Sequence, residues 1–460
     1  MKRKKKKVSG QQTAAAAENP KKKKKSSFWR KLFPRREKGD MVILVCCLIL
    51  LGMSILMAGS LANNQAFTSY QKAVMNVVSQ VAFAVMFLVV YFIVDRVFSF
   101  KFMKVFGILL LCFYLVLMVL VQAAGVDKLG AKSWLSIGGF SLQPSELFKP
   151  LIIALCAWMV HTFAKRRKDT EPGFKNMLRI TWLPLLSLLA SCVLLALQKD
   201  FGTMVIIVGI SLVCFLIPSM PCLKVWQSWA KWLAVGGVAA LAFLFFITDI
   251  GTDILASIDY TTHIAVRIEN TKNPYQDVMG EGFQTATGLY AIADGGVTGR
   301  GYGNSERKYG FLTQAESDFI LSIIVEELGL IGLLVVTLCN MLLSWRLFGY
   351  ALRARDQGDK VILGGVGAHF LLHFIVNVGG IGGLIPLTGV PLLLVSSGGT
   401  SVLACAVSIG MAQSSIRRVK AQVKEKKIIK AAVKEQEEEF VMNEQQIPAL
   451  PEHSALKGAA

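Results

Sequence analysis

Apolar runs long enough to cross a bilayer recur along the whole chain, and they constrain its fold more than any other feature. A transmembrane helix needs about 17 to 25 mostly apolar residues. We count ten such runs, at residues 41–60, 73–94, 103–123, 146–164, 179–197, 202–218, 231–248, 318–345, 360–385 and 391–413. The chain is 53% hydrophobic and only 17% charged, whereas a soluble protein needs a more polar shell. The sequence therefore predicts an all-α polytopic membrane protein with about ten transmembrane helices.

Lysine and arginine indicate which links between the spans face the cytoplasm, because cationic loops stay on that side during insertion. Basic links occur at 96–104, 165–168 and 353–360, whereas those at 61–72 and 386–391 carry little charge. An even number of spans then places both termini in the cytoplasm. The net charge of +20 indicates attraction to anionic lipid headgroups rather than to nucleic acid, since no folded soluble domain carries a basic stripe interleaved with aromatic residues. We therefore expect a multi-pass protein of the cytoplasmic membrane.

The chain divides into three parts and one long loop. Residues 1–40 are rich in lysine and have no apolar core, which predicts a disordered basic cytoplasmic tail. Residues 41–416 hold the spans, and residues 417–460 form a second cytoplasmic tail. Residues 249–317, between the seventh and eighth spans, form a link far longer than the others, which predicts a functional loop on the extracytoplasmic face. The cysteines show no metal-type pairing, and we name no metal-binding residue.

A lysine lies inside the fourth apolar run, where charge is unexpected. Lys149 follows Glu146 by three residues, so the two side chains share one helical face. An unpaired charge within lipid is costly, and such residues usually pair or face a polar cavity. We favour a functional cavity over a purely structural ion pair.

Carboxylates mark the place where the long loop enters the eighth span. Asp318 at this boundary fits two roles equally: a helix N-cap, or a general base whose pKa is set by burial and nearby cations. Glu326 and Glu327 lie about two turns further into the span and require partners inside the protein.

Polar residues also interrupt the ninth and tenth spans. His369, His373 and Asn377 recur every four residues, which predicts an interior hydrogen-bonded stripe on one helix face. No third ligand accompanies the two histidines, so we favour helix packing over a zinc site. The string from Ser396 to Ser401 predicts a broken helix whose backbone lines a cavity.

In this order, the segments resemble the shape, elongation, division and sporulation (SEDS) family of polytopic peptidoglycan glycosyltransferases, with its FtsW, RodA and SpoVE branches. The resemblance covers about residues 41–416. It is carried by Gly130-Ala131-Lys132-Ser133-Trp134, Gln143–Lys149, Gln198–Thr203, the 280–308 loop, Ser317–Gly329 and Pro386–Ser401. Gly303-Asn304-Ser305 followed by Lys308, and the Ser-Ser-Gly-Gly-Thr-Ser string, are more similar to the FtsW and SpoVE branches than to RodA.

The resemblance implies polymerisation of lipid II at the outer face of the membrane during cell division, with inversion at the reacting carbon. It implies that Asp318 is the general base that deprotonates the acceptor hydroxyl. It also implies substrate-binding residues: Lys132, Lys149, Arg267 and Lys308 for the pyrophosphates, Glu146 to orient Lys149, Gln143 and Ser145 for sugar or phosphate oxygens, Trp134 against lipid or sugar, and Ser397.

The resemblance further implies the molecules that the protein works with. The substrates are lipid II and the undecaprenyl-linked glycan. The protein partners are a class B penicillin-binding transpeptidase and other divisome proteins. The resemblance fixes no cofactor, and it leaves a divalent cation, Mg²⁺ or Mn²⁺, open because the leaving group is a pyrophosphate.

The chain departs from the family pattern at three places, and two other functions compete with the glycosyltransferase. The family commonly has Arg at Lys132, Pro at Lys199 and Leu-Pro-Glu-Ala at Leu312–Ala315. Lysine at 132 supplies a point charge without bidentate geometry, and Gln314 cannot supply a carboxylate.

A lipid II flippase predicts polar residues through the depth of a pathway, whereas here charge concentrates near the outer boundary. A non-enzymatic division scaffold predicts that neutralising Asp318 leaves function intact.

Overall fold

Long apolar helices dominate the structure, a computed structural model that describes residues 37–66, 70–128, 131–137, 140–165, 171–258, 260–280, 282–312 and 314–445. Within these ranges, nine helices are long and apolar enough to cross a membrane. The predicted polytopic all-α architecture is therefore confirmed. The predicted disordered tail, up to residue 36, and the last part of the second tail, from residue 446, lie outside the described residues.

The described helices follow the chain in this order: α1 Met41–Ala66, α2 Tyr70–Val97, α3 Phe100–Ala124, α4 Pro144–Ala164, α5 Phe174–Leu197, α6 Phe201–Leu216, α7 Pro221–Ala242, α8 Ile250–Ala256, α9 Thr262–Lys272, α10 Phe283–Gly295, α11 Ile320–Arg353, α12 Gln357–Ile381 and α13 Gly399–Gln445. A short π-helical turn, Phe243–Ile247, continues α7. The long loop thus contains three helices, α8 to α10.

Three boundaries differ from those expected from the apolar runs. The sixth run forms α6, which has only 16 residues and is the shortest of the ten. The seventh helix begins at Pro221 rather than at 231, because proline is well tolerated in the first turn of a helix. The tenth begins at Gly399 rather than at 391, since Leu394 in the preceding segment has a left-handed φ of 64°. At its other end, α13 continues without a break through residue 417.

A small sheet that sequence analysis did not predict lies between α3 and α4. Strands β1 Val126–Lys128, β2 Ala131–Ile137 and β3 Phe140–Leu142 pair antiparallel in the order β1-β2-β3. In this register Trp134 lies opposite Val126, and Leu135 lies opposite Leu142. β1 and β3 are too short for alternating hydrophobicity to identify them, and the longer β2 does not alternate.

The helices α12 and α13 form the most buried part of the described bundle, because small residues let their neighbours approach closely. A Cβ placed on Gly364 would lie 2.0 Å from Ile217, at the end of α6. One placed on Gly365 would lie 2.7 Å from the sulfur of Cys214. By contrast, no residue in the most apolar stretch of 221–247, which comprises α7 and the π-helical turn after it, is buried within the protein.

A kink divides α11 at Gly329, whose backbone has φ 65°. The loop after α10 supplies the backbone partners that the kink frees. Arg300 N donates to Glu326 O at 2.9 Å, Gly301 N donates to Glu327 O at 3.0 Å, and Leu330 N donates to Gly296 O at 3.0 Å. The long loop is therefore built into the bundle, as expected where irregular backbone lies at membrane depth.

Candidate active site

Asp318 lies two residues before α11 and is 8% exposed. The side chain of Asn377, near the end of α12, holds its backbone in place. Asn377 Nδ2 donates to Asp318 O at 2.9 Å and to Val390 O at 3.0 Å. One amide group thus connects Asp318 to the segment that precedes α13.

The carboxylate of Asp318 has two described neighbours. Ser317 Oγ donates to its Oδ1 at 2.5 Å. A Cβ placed on Gly389 would lie 3.7 Å from its Oδ2. Burial raises the pKa of the Asp318 carboxyl above its ordinary value of 3.8, although the Ser317 hydrogen bond and the charge of Arg267 oppose the rise. A carboxylate with a raised pKa is a stronger proton acceptor.

Arg267, on α9 of the long loop, contacts the same segment from outside the bundle. Its Nη1 donates to Leu387 O at 3.0 Å, and the residue is exposed. Because its charge lowers the pKa of Asp318, the two groups interact electrostatically. A carboxylate and a guanidinium therefore lie at the same end of the bundle.

Lys149 lies in a buried chain of three polar side chains. Its Nζ donates to Glu146 Oε1 at 2.5 Å and lies 2.9 Å from His373 Nε2. An ammonium group cannot accept a hydrogen bond, so Nε2 is the acceptor and Nδ1 carries the imidazole proton. Nδ1 then donates to Pro391 O at 3.3 Å. Through His373, Lys149 is thereby connected to the segment around Pro391, to which Asn377 also connects Asp318.

The expected interior hydrogen-bonded stripe on the ninth span is confirmed. Helix packing, however, explains only one of its three residues. His369 Nδ1 lies 3.2 Å from Ser408 Oγ on α13, which is a helix-to-helix contact. His373 and Asn377 instead contact Lys149 and Asp318. Sequence reasoning did not assign these two residues to the site.

Gln143 and Ser145 start α4 beside the beginning of α6. Gln143 Nε2 donates to Asp200 Oδ2 at 3.0 Å, while Asp200 Oδ1 accepts from Thr203 N and caps α6. Ser145 Oγ is buried and has no hydrogen-bond partner among the described residues. Asp200 belongs to the Gln198–Thr203 motif, and its position directly before an apolar run indicates a helix N-cap.

Lys308 lies in a different buried cluster. Its Nζ donates to Glu327 Oε1 at 3.0 Å, to Ser60 Oγ at 3.0 Å and to Gly303 O at 2.6 Å. Glu326 accepts from Arg307 Nη1 at 3.0 Å. The expectation that both glutamates have internal partners is confirmed. To hold a pyrophosphate, Lys308 would have to exchange its contact with Glu327.

The remaining predicted residues lie around the same end. Ser397 donates to Glu316 O through its N at 3.0 Å and its Oγ at 2.9 Å. Trp134 lies half-buried on β2. The backbone of Lys132 is in β2, but its side chain lies outside the described residues.

The structure thus brings Asp318, Arg267 and the Lys149 chain together around the Leu387–Pro391 segment, and it places Lys308 with Glu327 instead. No group of three His, Cys, Asp or Glu side chains among the described residues is arranged to hold a metal ion. A divalent cation stays an expectation from the resemblance.

The fold and site define a multi-pass membrane protein whose reactive polar groups lie at one end of a helical bundle. The family described as "Cell cycle protein", that of FtsW, RodA and SpoVE, matches residues 40–421. The chain belongs to this family.

Individual relatives agree with the family match. The chain is 36% identical over 302 residues to a protein from Enterococcus hirae named probable peptidoglycan glycosyltransferase FtsW, covering 65% of this chain and 70% of that one. It is 27% identical over 379 residues to stage V sporulation protein E of Bacillus subtilis, covering 82% and 96%.

Two solved structures share the fold. One belongs to a peptidoglycan synthase complex described as coordinating polymerization and crosslinking; its match has a TM-score of 0.63 and 22% identity, covering 83% of this chain and 98% of that one. The other is the rod shape determining protein RodA of Thermus thermophilus, with a TM-score of 0.53 and 21% identity, covering 82% and 97%.

Proposed function

We propose that this protein is a peptidoglycan glycosyltransferase that polymerises lipid II at the outer face of the cytoplasmic membrane during cell division. The observation that carries the proposal is the mostly buried carboxylate of Asp318, which interacts electrostatically with Arg267 and whose backbone carbonyl accepts a hydrogen bond from Asn377. The names of the relatives support the reaction class, since several are called probable peptidoglycan glycosyltransferase.

In the proposed reaction, Asp318 removes the proton from the 4-hydroxyl of one GlcNAc. The resulting oxygen nucleophile forms a bond to C1 of the MurNAc at the end of the growing strand. The bond from C1 to undecaprenyl pyrophosphate breaks, and the pyrophosphate leaves with the electron pair. A single displacement inverts the configuration at C1. The proton on Asp318 then passes to water.

Fixed cations stabilise the charge that develops on the pyrophosphate. The charge of Arg267 acts on the base Asp318, and its fork of donors suits phosphate oxygens. Lys149 contributes positive charge from within the bundle, and Glu146 orients it. Lys132 and Lys308 stay predicted pyrophosphate ligands.

The other predicted substrate-binding residues carry polar or aromatic groups at the same end. Ser145 offers a buried hydroxyl without a described partner. Gln143 offers the amide oxygen, since its Nε2 is bonded to Asp200. Trp134 would pack against lipid or sugar, and Ser397 would contact the substrate from the segment just before α13.

We also propose that both termini are cytoplasmic. The bundle end opposite Asp318 carries arginines that pair with acidic residues: Arg346 with Asp40 at 2.5 Å, and Arg418 with Asp359 at 2.6 Å. Cationic residues at that end agree with the positive-inside rule. The site would then face the outer leaflet.

A class B penicillin-binding transpeptidase is the proposed protein partner, together with other divisome proteins. The similar fold in a peptidoglycan synthase complex that couples polymerization to crosslinking supports this assignment. A lipid II flippase and a division scaffold are the alternatives.

One experiment separates the three functions. The purified protein with its transpeptidase receives labelled lipid II in detergent, and glycan strands are resolved on a gel. In parallel, liposomes with lipid II in one leaflet report translocation. The glycosyltransferase makes strands in detergent, where no leaflets exist. Translocation without strands would identify a flippase, and neither activity would leave the scaffold.

A further inference from the structure

Three basic side chains gather outside the bundle, and the proposed reaction uses only one of them. His263 and Arg267 lie four residues apart, on one face of α9. The ring of Phe201 lies 5.9 Å from that of His263 and 6.1 Å from that of Tyr260. Lys199 Nζ lies 5.4 Å from the centre of the Tyr260 ring. Two aromatic rings thus connect Lys199 to the face that carries Arg267.

The charges of this cluster meet no carboxylate in an ion pair within the described part of the chain, and Asp318 acts on Arg267 only through its electrostatic field. No described carboxylate forms an ion pair with Lys199 or Arg267, whereas Lys272 on the same helix pairs with Asp249 at 2.7 Å. The pKa of His263 is lowered by burial and by the charges of Arg267 and Lys199. Like charges held close together repel, and a bound anion would relieve that repulsion.

Lys199 also has an unusual backbone. It follows α5 with φ 59°, and Asp200 N donates to Leu195 O at 3.0 Å. This is the left-handed helix end for which glycine is the favoured residue. Proline, common here in the family, cannot adopt positive φ. A lysine at this position is strained, so its side chain needs a reason beyond the backbone.

The lysine at position 199 also has an alternative, purely structural explanation. A cation near a helix C-terminus interacts favourably with the helix dipole. That interaction would act on stability alone. It does not account for the additional presence of Arg267 and His263.

We propose that Lys199 and His263 extend the Arg267 position into a binding site for a diphosphate ester. The proposal rests on the proposed function for the identity of the lipid that carries the diphosphate. A diphosphate offers several anionic oxygens in a row. Arg267 has donors left besides the one that contacts Leu387, and Lys199 and His263 supply one ammonium and one imidazole. The diphosphate belongs either to the released undecaprenyl diphosphate or to lipid II itself.

Direct binding to the full-length protein tests the proposal without any turnover. Labelled undecaprenyl diphosphate and labelled lipid II are titrated separately onto the protein in nanodiscs. Lys199→Gln removes a charge-assisted contact and is expected to weaken binding roughly tenfold. Lys199→Arg is expected to retain affinity. Lys272→Gln, the same exchange on α9, is the matched control and is expected to bind as the unchanged protein does.

Lys199→Gly separates ligand binding from stability. It removes the strain together with the charge, so the melting temperature is expected to hold or rise while affinity falls as in Lys199→Gln. A loss confined to undecaprenyl diphosphate places the site at the leaving group, and a loss confined to lipid II places it at the acceptor. Unchanged affinity for both lipids in Lys199→Gln and Lys199→Gly would overturn the proposal. Affinities are read independently of strand formation, so a failure of the proposed function leaves this comparison decisive.

Discussion

Asn377 on α12 donates from one side-chain nitrogen to the backbone carbonyl of Asp318, 59 residues earlier in the chain, at 2.9 Å. Its second acceptor, Val390 O, lies at 3.0 Å. The amide therefore sets the position of Asp318 relative to the Leu387–Pro391 segment, on which Arg267 and His373 also converge.

Asn377→Leu is expected to lower strand formation about a hundredfold, because misplacing a reacting group by about 1 Å has that effect. It also leaves two buried carbonyls without a donor, at about 1–3 kcal/mol each. Asn340→Leu is the control, since the one hydrogen bond of the buried Asn340 side chain among the described residues goes to Val336 O of its own helix. Equal activity of the two variants would contradict a positioning role for Asn377.

Glu146→Gln is expected to destabilise the protein by about 3–5 kcal/mol, because it leaves the buried ammonium of Lys149 without its anion. The double variant Glu146→Gln/Lys149→Met removes both charges and should recover much of the melting temperature. It should not recover strand formation if the charge of Lys149 serves the reaction. A stable double variant with full activity would show that the pair is only structural.

The raised pKa of Asp318 predicts an acid limb in the rate of strand formation. The base acts only when ionised, so the rate should fall as pH drops through a value above 3.8. Arg267 opposes the rise of this pKa, and Arg267→Gln is therefore expected to move the limb to higher pH as well as lowering the maximum. The measurement is the pH dependence of kcat/KM, which reports the free enzyme. A limb that moves to lower pH in Arg267→Gln would refute the assigned interaction.

The same pKa has a consequence for stability. A carboxyl whose pKa is raised by folding binds its proton more tightly when folded, so ionising it above that pKa destabilises the protein. Asp318→Asn is thus expected to raise the melting temperature at pH 7. The gain should shrink as pH falls through the raised pKa toward 3.8, where the native carboxyl is itself neutral. A variant that melts lower than the native protein at pH 7 would argue against burial as the cause.

The length of the apolar runs predicted the spans, because a bilayer demands a set number of helical residues. The same logic indicated that Glu326, Glu327 and Lys149 need internal partners. It could not identify those partners. His373 lies 224 residues from Lys149, and only the packing of α4 against α12 brings them together.

Local strands and backbone turns were equally beyond the pattern. β2 has seven residues, but its sequence Ala-Lys-Ser-Trp-Leu-Ser-Ile does not alternate between apolar and polar positions. The kink at Gly329 depends on hydrogen bonds from the backbone amides of Arg300 and Gly301. These residues lie in the loop after α10, which packs against α11. Asp318 could be selected from its boundary position and from the family resemblance, but its support by Asn377 could not.

Strand formation by Asp318→Asn tests the central claim most directly. The native protein, Asp318→Asn and the control Asp253→Asn, which changes an exposed carboxylate on α8, are each purified with the transpeptidase and given labelled lipid II. The account predicts strands from the native protein and from Asp253→Asn, and none from an Asp318→Asn protein that folds and binds its partner. Strands made equally well by all three would contradict the assignment of Asp318 as the catalytic base.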